Sequence, residues 1–175
     1  MTTIERVTTT TTSVPLHTPF VTALRRTETT DTVVVTVTDS DGRTGWGEAP
    51  QVWQVTGESL ASATACIDAM LAPAVTGRGL DDRDDLAAAA AVVQRAVARN
   101  FGAKAAVDAA LHDLVAQAEG TSVAAVLSAG PDGIRLRGLD VLTGAGSHGP
   151  PRRLRSSSAA EPWRWVTRSA RPARS

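Results

Sequence analysis

Residues 42–59, GRTGWGEAPQVWQVTGES, decide how the rest of the chain is read. Just before them, Asp39-Ser40-Asp41-Gly42 supplies turn chemistry, because Gly and Asp tolerate the positive φ angles that tight hairpins need. Residues 32–38 (TVVVTVT) are β-branched throughout, which favours an extended strand over a helix. Residues 43–49 read as a second strand. A helix begins near Glu58, where Thr56 or Ser59 can supply the cap and the acid suits the helix dipole. The loop 50–57 is thereby pinned at both ends by rigid elements, and binding groups gather on such loops. An ordinary surface connection is the plainer reading of the same residues.

Working outward, residues 4–14 (IERVTTTTTSV) suit a first strand that ends at Pro15, since five consecutive Thr are β-branched. Residues 15–26 (PLHTPFVTALRR) form a connection, and strands 32–38 and 43–49 complete a three-stranded antiparallel meander. Helices follow. Leu60, Ala63, Ile67, Met70 and Leu71 lie at helical spacing, and Pro73 is expected to stop that helix. Asp81, Asp82, Asp84 and Asp85 crowd the start of a second helix running to about Arg99, where acids meet the positive end of the dipole. Asn100 is expected to cap a third, residues 101–119, with an apolar stripe of Val107, Ala110, Leu111, Leu114 and Ala118. Gly120 ends it, and a last helical turn spans 122–127. Strands first and helices after, without alternation, describe an α+β domain and not a parallel-sheet nucleotide binder.

The chain has 175 residues, enough for one domain with an appendage. Its apolar residues are mostly Ala and Val, with two Phe, four Trp and no Tyr, so few large side chains lock the core. The net charge of zero conceals a split: residues 1–150 are near −6 and residues 151–175, with seven Arg against Glu161, near +6. Cys66 is the single cysteine, which excludes an internal disulfide, and its apolar helical setting marks a core residue. The four aspartates read as helix-start acids more readily than as a metal site. His17, His112 and His148 are scattered without metal-ligand spacing, and His112 follows Asp108 by four residues, as a helical surface pair does. The first residues lack a basic region followed by an apolar core, and no apolar run approaches the ~20 residues of a membrane span. The expected location is cytoplasmic.

Three stretches carry a resemblance: PLHTPFVTALR, GWGEAPQVWQVTGES and AKAAVDAALHDLVAQAEGTSVAAVL. In order and spacing they resemble the amino-terminal domain of the enolase superfamily, in its mandelate racemase/muconate lactonizing enzyme branch. Pro19-Phe20, Ala23-Leu24-Arg25 and Thr56-Gly57-Glu58 are most similar to the dipeptide epimerases that act on Ala-Glu. The resemblance covers about residues 4–130, with mild departures at Val126 and Ser128. It implies a capping domain that closes over the mouth of a (β/α)-barrel, with two loops, here roughly 19–26 and 50–57, covering the substrate. It aligns Arg25 with an arginine that binds a substrate carboxylate, and a guanidinium fork suits a carboxylate physically.

In such enzymes the chemistry lives on the barrel, where lysines move a proton next to a carboxylate and acids hold Mg²⁺. This chain has one lysine, Lys104, inside the helix motif. No Lys-x-Lys exists, and too few residues remain for a barrel of about 200 or more. The chain is therefore expected to be a truncated cap with neither catalytic residues nor metal ligands of its own, inactive alone and acting on a dipeptide only beside a barrel. Whether the chain itself is an enzyme stays open. Residues 131–150 form a linker or a remnant of a first barrel strand, of which LDVLTGAG (139–146) is the candidate. Residues 151–175 read as a disordered Arg-rich tail, produced by a shifted frame or by a genuine basic arm. The alternative is a small binding module whose Arg and Trp side chains contact nucleic acid or an anionic surface. An orphaned cap would also expose Phe20, Leu24 and Trp53 and self-associate through them.

Overall fold

The computed structural model describes residues 1–23 and 25–128. Segments 131–150 and 151–175 and His148 lie outside the described residues. Three antiparallel strands come first, β1 (Ile4–Val21), β2 (Arg26–Asp39) and β3 (Thr44–Pro50), in the order β1-β2-β3. They are followed by α1 (Trp53–Thr56), α2 (Leu60–Cys66), a π-helical turn (Ile67–Leu71), α3 (Ala72–Val75), α4 (Arg83–Ala96), α5 (Phe101–Ala118) and α6 (Val123–Ser128). The α+β meander expected from the residues is the observed architecture.

The meander alternates as a half-buried sheet must. Val33, Val35 and Val37 of β2 are fully buried on one face, opposite Ala49, Gly47 and Gly45 of β3. Helix α5 lies on that face across β3 and β2. It can lie close because a Cβ on Gly45 would strike the Ala110 carbonyl oxygen, and one on Gly47 that of Ala106. Ala103, Ala106 and Ala110 bring the helix backbone down, while Val107, Leu111 and Leu114 fill the core beside it. Each buried Val or Leu is worth about 1.5–3 kcal/mol, so three valines on one strand anchor the sheet despite the alanine-rich composition.

The turn between β2 and β3 is built around Asp39, which is 1% exposed. Its carboxylate accepts the Asp41 and Arg43 backbone N–H groups at 3.0 and 2.8 Å and Arg43 Nε–H at 2.7 Å. That bond raises the guanidinium pKa further. Gly42 takes φ +81°, where an L side chain is strained.

Four expectations are corrected. Strand β1 does not end at Pro15 but continues to Val21, pairing Val21 with Arg26, and it absorbs the prolines through a register shift between Pro15 and Phe20. Proline lacks an N–H, and an edge strand has an unpaired side on which that loss is harmless. Pro73 does not stop its helix, which continues to Val75. The π turn just before it, closed by Ala72 N–H to the Ile67 carbonyl, widens the ladder where the ring would collide. The second helix ends at Ala96 and not near Arg99: Val97 is already extended at φ −149° and ψ 151°, and Arg99 and Asn100 then adopt positive φ, 58° and 51°. For the same reason Asn100 does not cap α5: its side chain turns back and donates to the Ala98 carbonyl at 3.0 Å.

Other expectations hold. Ser59, not Thr56, caps α2 in a reciprocal box with Ser62. Asp82 caps α4 by accepting from Asp84 N–H and Asp85 N–H, both at 2.9 Å, so the acidic cluster is a helix start. Cys66 is buried, and burial pushes its thiol pKa up. His112 lies 3.5 Å from Asp108 across one helical turn. Lys104 is buried and donates to the Gln94 carbonyl at 2.8 Å, in the last turn of α4, where a cation meets the negative end of the dipole.

Candidate functional site

Past Thr32, β2 loses its partner β3, and the β1–β2 hairpin continues alone as a two-stranded arm. A groove of about 590 Å³ opens between this arm and the segment leaving β3. Leu16, Phe20 and Arg25 form one wall, and Gln51, Trp53 and Gln54 the other.

The tip of the arm is a tight turn. Thr22 N–H donates to the Arg25 carbonyl at 2.8 Å, and Arg25 N–H to Thr22 Oγ1 at 3.1 Å. The backbone of Arg25 is thereby held against Thr22, and its Nη1 reaches across the groove to donate to Gln54 Oε1 at 3.1 Å. Arg26 differs: its Nε donates to Glu28 Oε1 at 2.8 Å, so its charge is compensated. Among the described residues no carboxylate pairs with Arg25.

The opposite wall is also held at both ends. Gln51 N–H donates to the Asp31 carbonyl at 2.8 Å, extending the β2–β3 pairing by one step, and Gln51 Oε1 accepts Leu60 N–H at 2.9 Å. Between them the single turn α1 presents Trp53 and Gln54 and is closed by Gly57 at φ +77°. Glu58 then leaves the loop and accepts Gly102 N–H at 2.8 Å, at the start of α5. Sequence reasoning assigned Glu58 to the helix it precedes; the carboxylate serves the third helix instead.

Phe20 and Trp53 are 57% and 60% exposed, and Leu24 lies outside the described residues. A guanidinium held by a neutral amide between two aromatic walls can receive a small ligand bearing a carboxylate and apolar surface. Sequence reasoning found Arg25, Phe20 and Trp53 but not Gln54 or Gln51, whose roles depend on which loops face each other. Among the described residues no three His, Cys, Asp or Glu side chains are grouped to hold a metal ion. No helix there is long and apolar enough to cross a membrane.

Residues 4–128 match the family "Mandelate racemase / muconate lactonizing enzyme, N-terminal domain". Over 114 residues the chain is 40% identical to an L-Ala-D/L-Glu epimerase of Bacillus subtilis, covering 65% of this chain and 30% of that protein. A chloromuconate cycloisomerase of Cupriavidus necator is 38% identical over 123 residues, covering 69% of this chain and 32% of the relative. Among solved structures, a substrate-liganded L-Ala-D/L-Glu epimerase from Bacillus subtilis superimposes with a TM-score of 0.66 at 38% identity, over 72% of this chain and 34% of that one. A dipeptide epimerase from Enterococcus faecalis, complexed with Mg and the dipeptide L-Leu-L-Tyr, gives 0.63 at 26% identity, over 73% and 35%. The chain spans about a third of the length of these relatives. On the match of residues 4–128, it belongs to the mandelate racemase/muconate lactonizing enzyme family of the enolase superfamily, of which it carries the N-terminal domain.

Proposed function

We propose that this domain caps the mouth of a barrel domain of the dipeptide-epimerase type, and that the groove between residues 16–30 and 50–54 covers an acidic dipeptide. The observation that carries this reading is Arg25, whose guanidinium is held over the groove by a neutral partner and keeps an uncompensated charge. Arg25 contacts substrate in this reading; it does not take part in proton transfer. The chain's one lysine is buried and bonded to a backbone carbonyl, so it cannot reach a substrate in the groove. Proton abstraction and Mg²⁺ binding belong to residues of a barrel, and the chain alone is inactive. The relatives support this division, since epimerases and cycloisomerases share the cap while their names record different substrates. The Arg-rich stretch 151–175 lies outside the described residues, and no observation favours a nucleic-acid module.

The test supplies an epimerase barrel in trans and compares an acidic with a neutral dipeptide. The two pieces associate and epimerise L-Ala-L-Glu, while the chain alone shows no turnover that chelator removes. Arg25→Ala lowers kcat/KM for L-Ala-L-Glu at least ~10-fold, about 1.4 kcal/mol, and leaves L-Ala-L-Leu within about 2-fold. An equal loss for both dipeptides removes Arg25 from the substrate site. Failure to associate removes the capping role.

A further inference from the structure

The inference drawn here rests on the reading of Arg25 as the contact for an acidic substrate group. We propose that Gln54 is a specificity-determining residue of the groove: it holds the Arg25 guanidinium across the opening and adds its own amide N–H to the same ligand carboxylate.

The geometry of both partners supports this. Three hydrogen bonds join Thr22 and Arg25, so the backbone of Arg25 is held against the other strand of the arm and its side chain bridges the gap. Gln54 sits in a closed turn whose N–H groups at Val55, Thr56 and Gly57 bond back to the Val52 and Trp53 carbonyls. Two side chains, each on a hydrogen-bonded turn, meet at 3.1 Å, and among the described residues theirs is the side-chain hydrogen bond that joins the two walls.

The chemistry of an amide at this position is specific. Its carbonyl oxygen accepts from Arg25 Nη1, and among the described residues no acceptor is bonded to its Nε2. A guanidinium has five N–H donors in a planar fork, and one is engaged here. The remaining donors can meet a carboxylate in two parallel bonds, and the Gln54 N–H adds a third. A glutamate at position 54 would instead complete an ion pair and consume the charge, as Glu28 does for Arg26. A leucine would leave the guanidinium without its hold. Glutamine alone among these orients the cation without neutralising it, so the groove separates a Glu side chain from its uncharged Gln analogue.

The experiment uses the full chain, labelled with ¹⁵N and saturated with the unlabelled epimerase barrel supplied in trans, and follows the Arg25 Nε–H and Gln54 side-chain amide resonances during titration with L-Ala-L-Glu or L-Ala-L-Gln. In the native chain both resonances move with L-Ala-L-Glu and stay put with L-Ala-L-Gln. Gln54→Glu weakens the Arg25 response to L-Ala-L-Glu at least ~10-fold, and Gln54→Leu weakens it several-fold. Core backbone resonances report that each variant is folded, which an exposed loop position makes the expected state. If Arg25 responds with native affinity in both variants, Gln54 is a bystander and the Arg25 reading survives. If Arg25 is silent in the native chain as well, both readings fall.

Discussion

Glu58 Oε2 accepts the Gly102 N–H at 2.8 Å and so joins the end of the groove loop to the start of the longest helix, 44 residues further on. The first turn of α5 has no cap of its own, because Asn100 sits in left-handed conformation and bonds elsewhere. Glu58→Ala is expected to destabilise the domain by about 1 kcal/mol, the usual cost of a lost cap. Gly102→Ala removes the same bond by another route, since a Cβ there would strike Glu58 Oε2. Urea melts of the two variants and their double should show one loss shared between them; a full sum of the single effects would mean that the bond contributes nothing.

The glycines of β3 matter for space, and that of the preceding turn for conformation. Gly47→Ala forces α5 off the sheet and should cost about 1–3 kcal/mol or more. Gly42→Ala meets no atom within 4 Å, and its cost of about 1–2 kcal/mol comes from φ alone. Asparagine tolerates left-handed backbone, so Gly42→Asn should recover most of that loss. Gly47→Asn should be worse than Gly47→Ala. Chemical denaturation distinguishes the two mechanisms, and recovery at both sites would overturn the packing account.

Cys66 should react with an aromatic disulfide reagent at least ~100-fold more slowly in the folded chain than in denaturant, because a buried thiol must wait for opening. Burial holds its pKa above the unfolded value. Its contribution to stability is therefore complete below the unfolded thiol pKa and is lost as pH rises toward the folded one. Cys66→Ala should flatten the alkaline limb of stability against pH, and an unchanged limb would count against this.

Arg83 Nε and Nη2 donate to both carboxylate oxygens of Glu119 at 2.8 and 2.6 Å, tying the start of α4 to the end of α5. The guanidinium holds the Glu119 carboxyl below the usual glutamate range. This contribution is present above the unfolded carboxylate pKa and disappears as pH falls through the depressed folded value. Glu119→Gln should remove the acid-side slope that this pair contributes and leave the slope above neutrality untouched. Stability measured between neutral and acidic pH checks it, with Arg83→Gln as the matching variant.

What could be read from the residues was local or periodic. Val33, Val35 and Val37 announced the central strand through β-branching, and Leu111 and Leu114 announced the buried face of α5. Ser59 was legible as a cap because its partner, Ser62, is three residues away. The misreadings share a cause. Pro15 and Pro73 are breakers by propensity, but an unpaired strand edge absorbs the first and a π turn the second. Glu58 takes the capping role expected of Asn100, because a cap supplied from 44 residues away leaves no local signal. Arg25 entered through a motif, whereas Gln54 became visible only when two loops were placed face to face.

The arm that forms one wall of the groove is held unequally along its length. From Thr32 to Asp39 it has β3 on one side and helices beneath; from Ser13 to Asp31 none of its described residues is buried. The stretch of β2 beyond Thr32, six residues at about 3.4 Å each, carries Arg25 roughly 20 Å past the last supported pair. A two-stranded ribbon of that kind is marginal in water. Its amides should therefore exchange by a local opening that costs a fraction of global unfolding, while those of Val33–Val37 exchange only when the domain melts. Access to the groove is in this way uncoupled from the stability of the fold: the wall can swing aside and re-form while the sheet behind it stays intact.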